Sequence, residues 1–250
     1  MDARLVNTVV STLPSDDTHP YRTGPWHPQT EEWDATPRVV AGAIPSDLDG
    51  MYLRNTENPV HPAITNYHPF DGDAMLHMIE FGDGRAAYKN RFVRTAGLAA
   101  EAEAGMALWA GFIELPDTAH RTDGWTARGR MKDASSTDVV VHRGEALTSF
   151  YWCGDLYRID LSTGATLGTE TWHGAIPPWG VSAHQKVDPA TGELLFFTFS
   201  KEAPYLRYGA VGADGVVHTL RDVPTPGPRL PHDMAFTEHY VILNDFPLFW

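Results

Sequence analysis

Two histidines, His184 and His232, are the residues of this sequence whose type and spacing suggest chemistry. They lie 48 residues apart, in the segments SAHQKVD and PHDMAF, and each is interpreted as standing at the start of a predicted strand. Imidazole nitrogens suit divalent transition metals, so two of them at one point are candidate ligands for such an ion. Either histidine taken alone is more often a hydrogen-bonded structural residue. The pair therefore predicts a metal site only if the fold brings both side chains together.

Other groups of polar residues carry weaker signals. The other ten of the 12 histidines show no local ligand spacing, and one cysteine excludes a thiolate zinc site. Phosphate-binding glycine loops and the GxSxG motif do not occur in the sequence. Glu57, Asp71 and Asp73 are candidates for the two paired carboxylates of a glycosidase. Acidic residues in turns usually cap the turn. We therefore interpret Asp71 and Asp73 as structural, and Arg54 as bracing the same part of the chain.

Short strands that recur along the chain must position the two histidines. Groups of strands begin near residues 137, 184 and 232, a period of about 47 residues, with turn sequences between the strands. That period is typical of four-stranded β-propeller blades. The first strand of each blade lines the central channel of a propeller. His184 and His232 are therefore predicted to converge on the propeller axis.

The predicted fold is all-β with one short helix. Residues 1–37 predict an irregular N-terminal arm, and residues 38–250 predict a partial propeller of about three to four blades. A hairpin is predicted from Ala74–Phe81 and Arg85–Thr95, and a helix over residues 98–112. The helix is interpreted as packing on the sheet, with a lid over a substrate entrance as the alternative. The pattern stops without a closing strand, which predicts an incomplete propeller.

Composition restricts the partners and the compartment. A net charge of −13 argues against nucleic-acid binding, because such proteins need a basic face. A single cysteine suits a reducing compartment, and the N-terminal segment lacks the apolar core of a secretory signal. We therefore expect a cytoplasmic protein. The oligomeric state is left open by the sequence.

Six segments, taken in order, resemble the carotenoid cleavage oxygenase family. The resemblance runs from about residue 38 to residue 250 and corresponds to the N-terminal half of the family's length. The segments are MYLRNTENP (51–59), YHPFDGDAMLH (67–77), YKNRFVRT (88–95), SSTDVVV (135–141), SAHQKVDPATGEL (182–194) and PHDMAFTEHYVILND (231–245).

The resemblance implies a seven-bladed propeller with Fe(II) on its axis, held by four histidines. His184 and His232 match the first two ligands, and the other two are expected beyond residue 250. It also implies that O2 cleaves a conjugated C=C bond of a carotenoid, apocarotenoid or stilbene to give two carbonyl products. Because carotenoids reside in lipid, peripheral membrane contact is expected. Four aromatic residues either line a tunnel for this apolar substrate or pack in the core: Tyr67, Phe70, Trp109 and Trp179.

The sequence departs from the family pattern beside the expected metal site. Trp152 stands where family members carry a glutamate that hydrogen-bonds a ligand histidine, and tryptophan cannot accept that bond. Tyr151 stands where stilbene-cleaving members place a lysine, for which Lys132 is a candidate substitute. Two alternative functions remain. One is a retinoid-type isomerase of the same family, and the other is a non-catalytic propeller that binds an apolar ligand or a protein.

Overall fold

A computed structural model of the protein describes residues 2–121 and 131–246. Within these residues the chain forms four β-sheets and one α-helix, as the all-β prediction requires. The strands are β1 (Asp2–Thr8), β2 (Glu31–Thr36), β3 (Gly50–Asn58), β4 (Asp73–Gly82), β5 (Arg85–Phe92), β6 (Asp138–His142), β7 (Glu145–Ser149), β8 (Leu156–Asp160), β9 (Thr166–Glu170), β10 (Lys186–Val187), β11 (Leu194–Phe199), β12 (Leu206–Val211), β13 (Val217–Asp222), β14 (Met234–Phe236) and β15 (Val241–Leu243), and the helix is α1 (Ala96–Ala104).

Each sheet has an innermost edge strand that stands beside the innermost strand of the next sheet. The first sheet has the order β1-β2-β5-β4-β3, and the second and third run β6-β7-β8-β9 and β10-β11-β12-β13. The hairpin β14–β15 forms the fourth sheet, and all the pairings between these strands are antiparallel. Strand β6 lies beside both β3 and β10, and β10 lies beside β14. This arrangement is that of successive propeller blades around a channel.

The hydrophobic core lies between successive sheets. Strand β11 has the sequence LLFFTF and is buried along its whole length. Successive side chains of a strand point to opposite faces, so Leu194 and Phe196 pack towards the second sheet, and Leu195 and Phe197 pack towards the β14–β15 hairpin. A continuous apolar run is expected of a strand covered on both faces. Each buried phenylalanine contributes about 1.5–3 kcal/mol to folding.

The N-terminal segment corrects one prediction. Residues 1–37 are not irregular throughout, because β1 pairs with β2 and β2 pairs with β5 of the first sheet. The Asn90 side chain holds β2 in place: it donates to the Glu31 carbonyl at 2.8 Å and accepts the Trp33 N–H at 2.7 Å. Strand β1 is exposed along its length, so no apolar alternation marks it in the sequence. The boundary near residue 38 stays a prediction.

Helix α1 is shorter than the predicted helix over residues 98–112. The Thr95 hydroxyl accepts the Leu98 N–H at its start, and Gly105 ends it with φ of 68°. Leu98 packs with Met75 and Phe92 of the first sheet, as the packed interpretation predicts. Among the described residues, no helix combines the length and apolar character needed to cross a membrane.

Candidate metal centre

The fold brings the imidazole rings of His184 and His232 together. Their ring centroids are 5.0 Å apart with an interplanar angle of 68°. His184 comes two residues before β10, and His232 comes two residues before β14. Because β10 and β14 are neighbouring innermost strands, equivalent positions before them meet. The predicted convergence of the two histidines is therefore seen in the structure.

The backbone around His184 is anchored to two blades. The Ser182 N–H donates to the Phe197 carbonyl in the third sheet, and the Ala183 N–H donates to the Phe150 carbonyl that follows β7, each at 3.1 Å. His184 itself has φ of 67°, in the left-handed region. That conformation costs a non-glycine residue about 1–2 kcal/mol. The flanking hydrogen bonds hold the backbone in this conformation. Backbone strain maintained in this way is typical of functional sites.

Asp138 holds the imidazole of His184 from the preceding blade. The His184 Nδ1–H donates to the Asp138 Oδ2 at 2.9 Å. Asp138 begins β6 and precedes His184 by 46 residues, about one blade period. Sequence reasoning missed this residue, although the same period that related the two histidines marks its position. With Nδ1 protonated, the Nε2 lone pair of His184 is available to a metal ion.

An ion pair joins the segments that carry the two histidines. The Lys186 Nζ lies 2.8 Å from the Asp233 Oδ1. Burial by itself would raise the pKa of Asp233, but hydrogen bonds from Lys186 and from the Met234 N–H outweigh it and lower the pKa. Lys186 follows His184 by two residues, and Asp233 follows His232 directly. The bond therefore holds the two histidine loops beside each other.

The donor chemistry of this pair fits a divalent iron ion. Two imidazoles lie next to each other in an edge-on arrangement, and one of them has a ring nitrogen bonded to a carboxylate, as is usual for histidines that bind metals. In residues 2–121 and 131–246 no group of three or more potential metal ligands occurs. The site described here thus consists of two imidazole donors and one supporting carboxylate.

The side chains at the two departures from the family pattern pack against other aromatic rings. The Trp152 ring packs against Tyr151 and Phe199, with centroid distances of 6.1 and 5.9 Å. Tyr151 is buried and packs against Phe70 at 5.6 Å. Burial, and then the charge of Asp71, raises the pKa of Tyr151. Tyr151 is therefore a neutral phenol at ordinary pH and not a cation that could hold a phenolate.

Lys132, the candidate substitute for the missing lysine, is engaged by two carboxylates. Its Nζ lies 2.9 Å from Asp73 Oδ1 and 2.6 Å from Glu101 Oε2, and all three side chains are largely buried. Burial would lower the pKa of Lys132, but the two carboxylates outweigh it and raise the pKa. The ammonium group is therefore charged and neutralised within the fold. Asp73 is correspondingly structural, as predicted.

Three of the four candidate tunnel residues line one small cavity. Tyr67, Phe70 and Trp109 surround a space of about 40 Å³, and Trp179 lies elsewhere, with the Arg207 guanidinium 5.2 Å from its ring centroid. That volume is large enough for ordered water. The lining of a substrate tunnel by these three aromatic residues stays a prediction. Asp71, also in the cavity wall, accepts N–H groups from His68 and Phe112, which agrees with a structural role.

Neighbouring sheets whose innermost strands stand side by side define a β-propeller. A pair of histidines, one just before each of two innermost strands, forms an imidazole site between them. The family model described as "RPE65: Retinal pigment epithelial membrane protein" matches residues 26–250. The chain belongs to this family, the carotenoid cleavage oxygenases, and the predicted family and propeller fold are confirmed.

Known relatives and solved structures agree with this family. The chain is 31% identical to the carotenoid 9,10(9',10')-cleavage dioxygenase 1 of Phaseolus vulgaris, over 95% of this chain and 45% of the relative. It matches the crystal structure of Pseudomonas brassicacearum lignostilbene dioxygenase with a TM-score of 0.79 and 26% identity, covering 90% of this chain and 47% of the other. Cobalt-substituted Synechocystis ACO matches with a TM-score of 0.71 and 29% identity, over 86% and 47% of the two chains. The chain thus spans about half the length of the curated relatives it matches.

Proposed function

We propose that this chain is part of an Fe(II)-dependent dioxygenase that cleaves a conjugated C=C bond with O2, and that His184 and His232 are two of its iron ligands. The observation that carries the proposal is the convergence of these histidines, with ring centroids 5.0 Å apart, in a chain of this family. A cytoplasmic location and peripheral contact with a membrane surface belong to the same proposal. The first follows from the reducing compartment that suits a single cysteine, and the second from a lipid-borne substrate.

The reaction breaks the C=C and O–O bonds and forms two C=O bonds, so each carbonyl product receives one oxygen atom. Bound iron would supply open coordination positions for a reaction that triplet O2 undergoes slowly by itself. The role of His184 is to donate its Nε2 lone pair, because its Nδ1–H is bonded to Asp138, and the role of His232 is to donate a ring-nitrogen lone pair. Both are neutral ligands, which leave the charge of the ion in place. Asp138 and the Lys186–Asp233 pair hold the two rings towards each other.

The substrate class is an apolar conjugated molecule, either a carotenoid or apocarotenoid or a stilbene. The names of the matched relatives include both carotenoid and lignostilbene dioxygenases. Lys132 is paired with two buried carboxylates, so a lysine contact to a phenol oxygen has no support from this region of the chain. An assay with both an apocarotenal and a hydroxystilbene separates the two classes.

The experiment begins with the intact mass of the native gene product, measured by mass spectrometry. A product near 27.7 kDa carries the histidine pair alone, and on ligand count we expect weak iron binding and no cleavage from it. A product about twice that mass is the one to load with Fe(II) and assay. We then expect O2 uptake, and 18O from 18O2 in both carbonyl products.

His184→Ala is the matched test, with the exposed His239→Ala as its control. We expect His184→Ala to abolish both iron loading and cleavage and the control to retain them. Substrate rearrangement without O2 uptake would identify an isomerase instead. Full activity of His184→Ala would overturn the proposed metal site.

A further inference from the structure

The carboxylate of Asp138 is held in a fixed position beside His184. Its Oδ2 accepts the His184 Nδ1–H at 2.9 Å, and its Oδ1 accepts the Val139 N–H at 2.7 Å. The Asp138 backbone carbonyl accepts a hydrogen bond from the Asn55 side chain of the first sheet at 3.2 Å. Both interacting side chains are partly shielded, with 23% of His184 and 30% of Asp138 exposed. Two hydrogen bonds to the carboxylate therefore orient it towards the ring.

That contact selects one tautomer of the imidazole. A neutral histidine carries its proton on either Nδ1 or Nε2, and the free side chain favours Nε2–H. A carboxylate can only accept, so the bond from His184 to Asp138 requires the proton on Nδ1. The Nε2 lone pair is then free for a metal. Partners of this kind are typically worth 10–100-fold in metal affinity.

We infer that Asp138 is a positioning residue that fixes His184 as the Nδ1–H tautomer and so prepares Nε2 as a metal ligand. This inference rests on the proposed function. It also explains how the site has a supporting carboxylate although Trp152 occupies the family's glutamate position. The support comes from β6 of the preceding sheet and not from the residues after β7.

The first test reads the tautomer directly in the metal-free chain. Two-bond 1H–15N correlation spectra of 15N-histidine-labelled protein at about pH 9, above the ordinary imidazole pKa, distinguish the two tautomers. His184 is assigned by the signal that His184→Ala removes. We expect the Nδ1–H form in the wild-type chain and in the control Glu145→Gln, whose carboxylate pairs with Arg158 in the same sheet.

Two substitutions of Asp138 complete this test. We expect Asp138→Ala, and the isosteric Asp138→Asn, to move His184 towards the Nε2–H form. The asparagine variant does so because its amide nitrogen can donate to Nδ1, while its near-identical shape keeps the fold. Persistence of the Nδ1–H form in both variants would overturn the inference. A structural role alone would lower stability without moving the tautomer.

The second test measures metal affinity with Co(II), followed by paramagnetic changes in the histidine signals of the same samples. We expect Asp138→Ala and Asp138→Asn to bind Co(II) about 10–100-fold more weakly than the wild-type chain and the Glu145→Gln control. Equal affinity in all four samples would overturn the positioning role while leaving the metal site intact. If Co(II) leaves the NMR signals of His184 and His232 unchanged in the wild-type protein, including the native gene product at its full length, the proposed function is overturned instead.

Discussion

The imidazole rings of His184 and His232 lie 5.0 Å apart, centroid to centroid, although 48 residues separate them along the chain. Each ring precedes the innermost strand of its own sheet, and those two strands are neighbours. The contact is therefore a consequence of blade repetition and not of local sequence. Asp138, at the start of the innermost strand one blade earlier, accepts the hydrogen bond from the His184 ring.

The two histidines should act as one unit in metal binding. We expect His184→Ala and His232→Ala each to weaken Co(II) binding by about 100-fold or more, and the double variant to lose little beyond either single change. Residues that serve one site are coupled, so their effects do not add. Isothermal titration of the chain with Co(II) measures this, with His239→Ala as the control. Independent, additive losses would show that the rings do not share an ion.

The left-handed backbone at His184 predicts a trade between stability and function. With φ of 67°, this position suits glycine better than any residue with a Cβ atom. We expect His184→Gly to unfold at higher urea than His184→Ala, by about 1 kcal/mol in the free energy of unfolding. Both variants should lose metal binding. A less stable glycine variant would mean that the backbone at His184 is not strained.

The buried triad of Lys132, Asp73 and Glu101 predicts a large stability effect. Lys132→Met leaves two carboxylates in the interior without their cation, and removal of one partner of such a group costs about 3–5 kcal/mol. Urea unfolding measures the loss, with the exposed Lys201→Met as the control. The triple variant with Asp73→Asn and Glu101→Gln should recover part of it. A stable Lys132→Met protein with weakened binding of a hydroxystilbene would instead support the phenol-anchoring role.

Gly209 and Phe196 form a cross-strand pair in which the glycine leaves room for the ring. The two residues are register partners on β12 and β11, and a Cβ at Gly209 would overlap the Phe196 ring. We expect Gly209→Ala to cost about 1–3 kcal/mol, and less than about 1 kcal/mol in a Phe196→Ala background. A double-mutant cycle by urea unfolding gives the coupling. Gly227→Ala, which meets only the end of Arg229 at 3.8 Å, is the control.

Glu114 should contribute a pH-dependent part of the stability. Burial raises the pKa of Glu114, but N–H groups of Gly111, Asn66 and Thr65 outweigh it and lower the pKa. A lowered folded-state pKa stabilises the fold above the unfolded value of about 4.3, and this contribution is lost as the pH falls through the folded pKa. We expect Glu114→Gln to cost about 1.5–3 kcal/mol at pH 7. The difference from the wild-type chain should shrink towards pH 3.

Urea unfolding at the two pH values measures the Glu114 effect. The exposed Glu202→Gln, whose side chain is in solvent, serves as the control and should match the wild-type chain at both. An equal cost of Glu114→Gln at both pH values would show that its charge is not what stabilises this turn. The cost would then come from packing alone.

Strand positions and the approach of the two histidines could be predicted, but the hydrogen bonds and ion pairs that support them could not. The three predicted starts of strand groups, near residues 137, 184 and 232, lie within two residues of the starts of β6, β10 and β14, because turn and strand preferences are local. Strand β1 was missed because exposed strands lack an apolar pattern, and the helix was drawn too long because Gly105 was not recognised as its end. The role of Lys132 depended on two carboxylates that lie 59 and 31 residues away in the chain.

The sequence by itself determined the all-β class, the blade period and the family, since these follow from local backbone preference and from motifs read in order. It also determined that His184 and His232 occupy equivalent places in successive blades. Only the tertiary structure decided that the Asp138 carboxylate meets Nδ1 of His184, and that the acceptor at this ring is not at position 152. The reason is that hydrogen bonds between blades depend on how twisted sheets stack around an axis, and no spacing within one strand encodes that geometry.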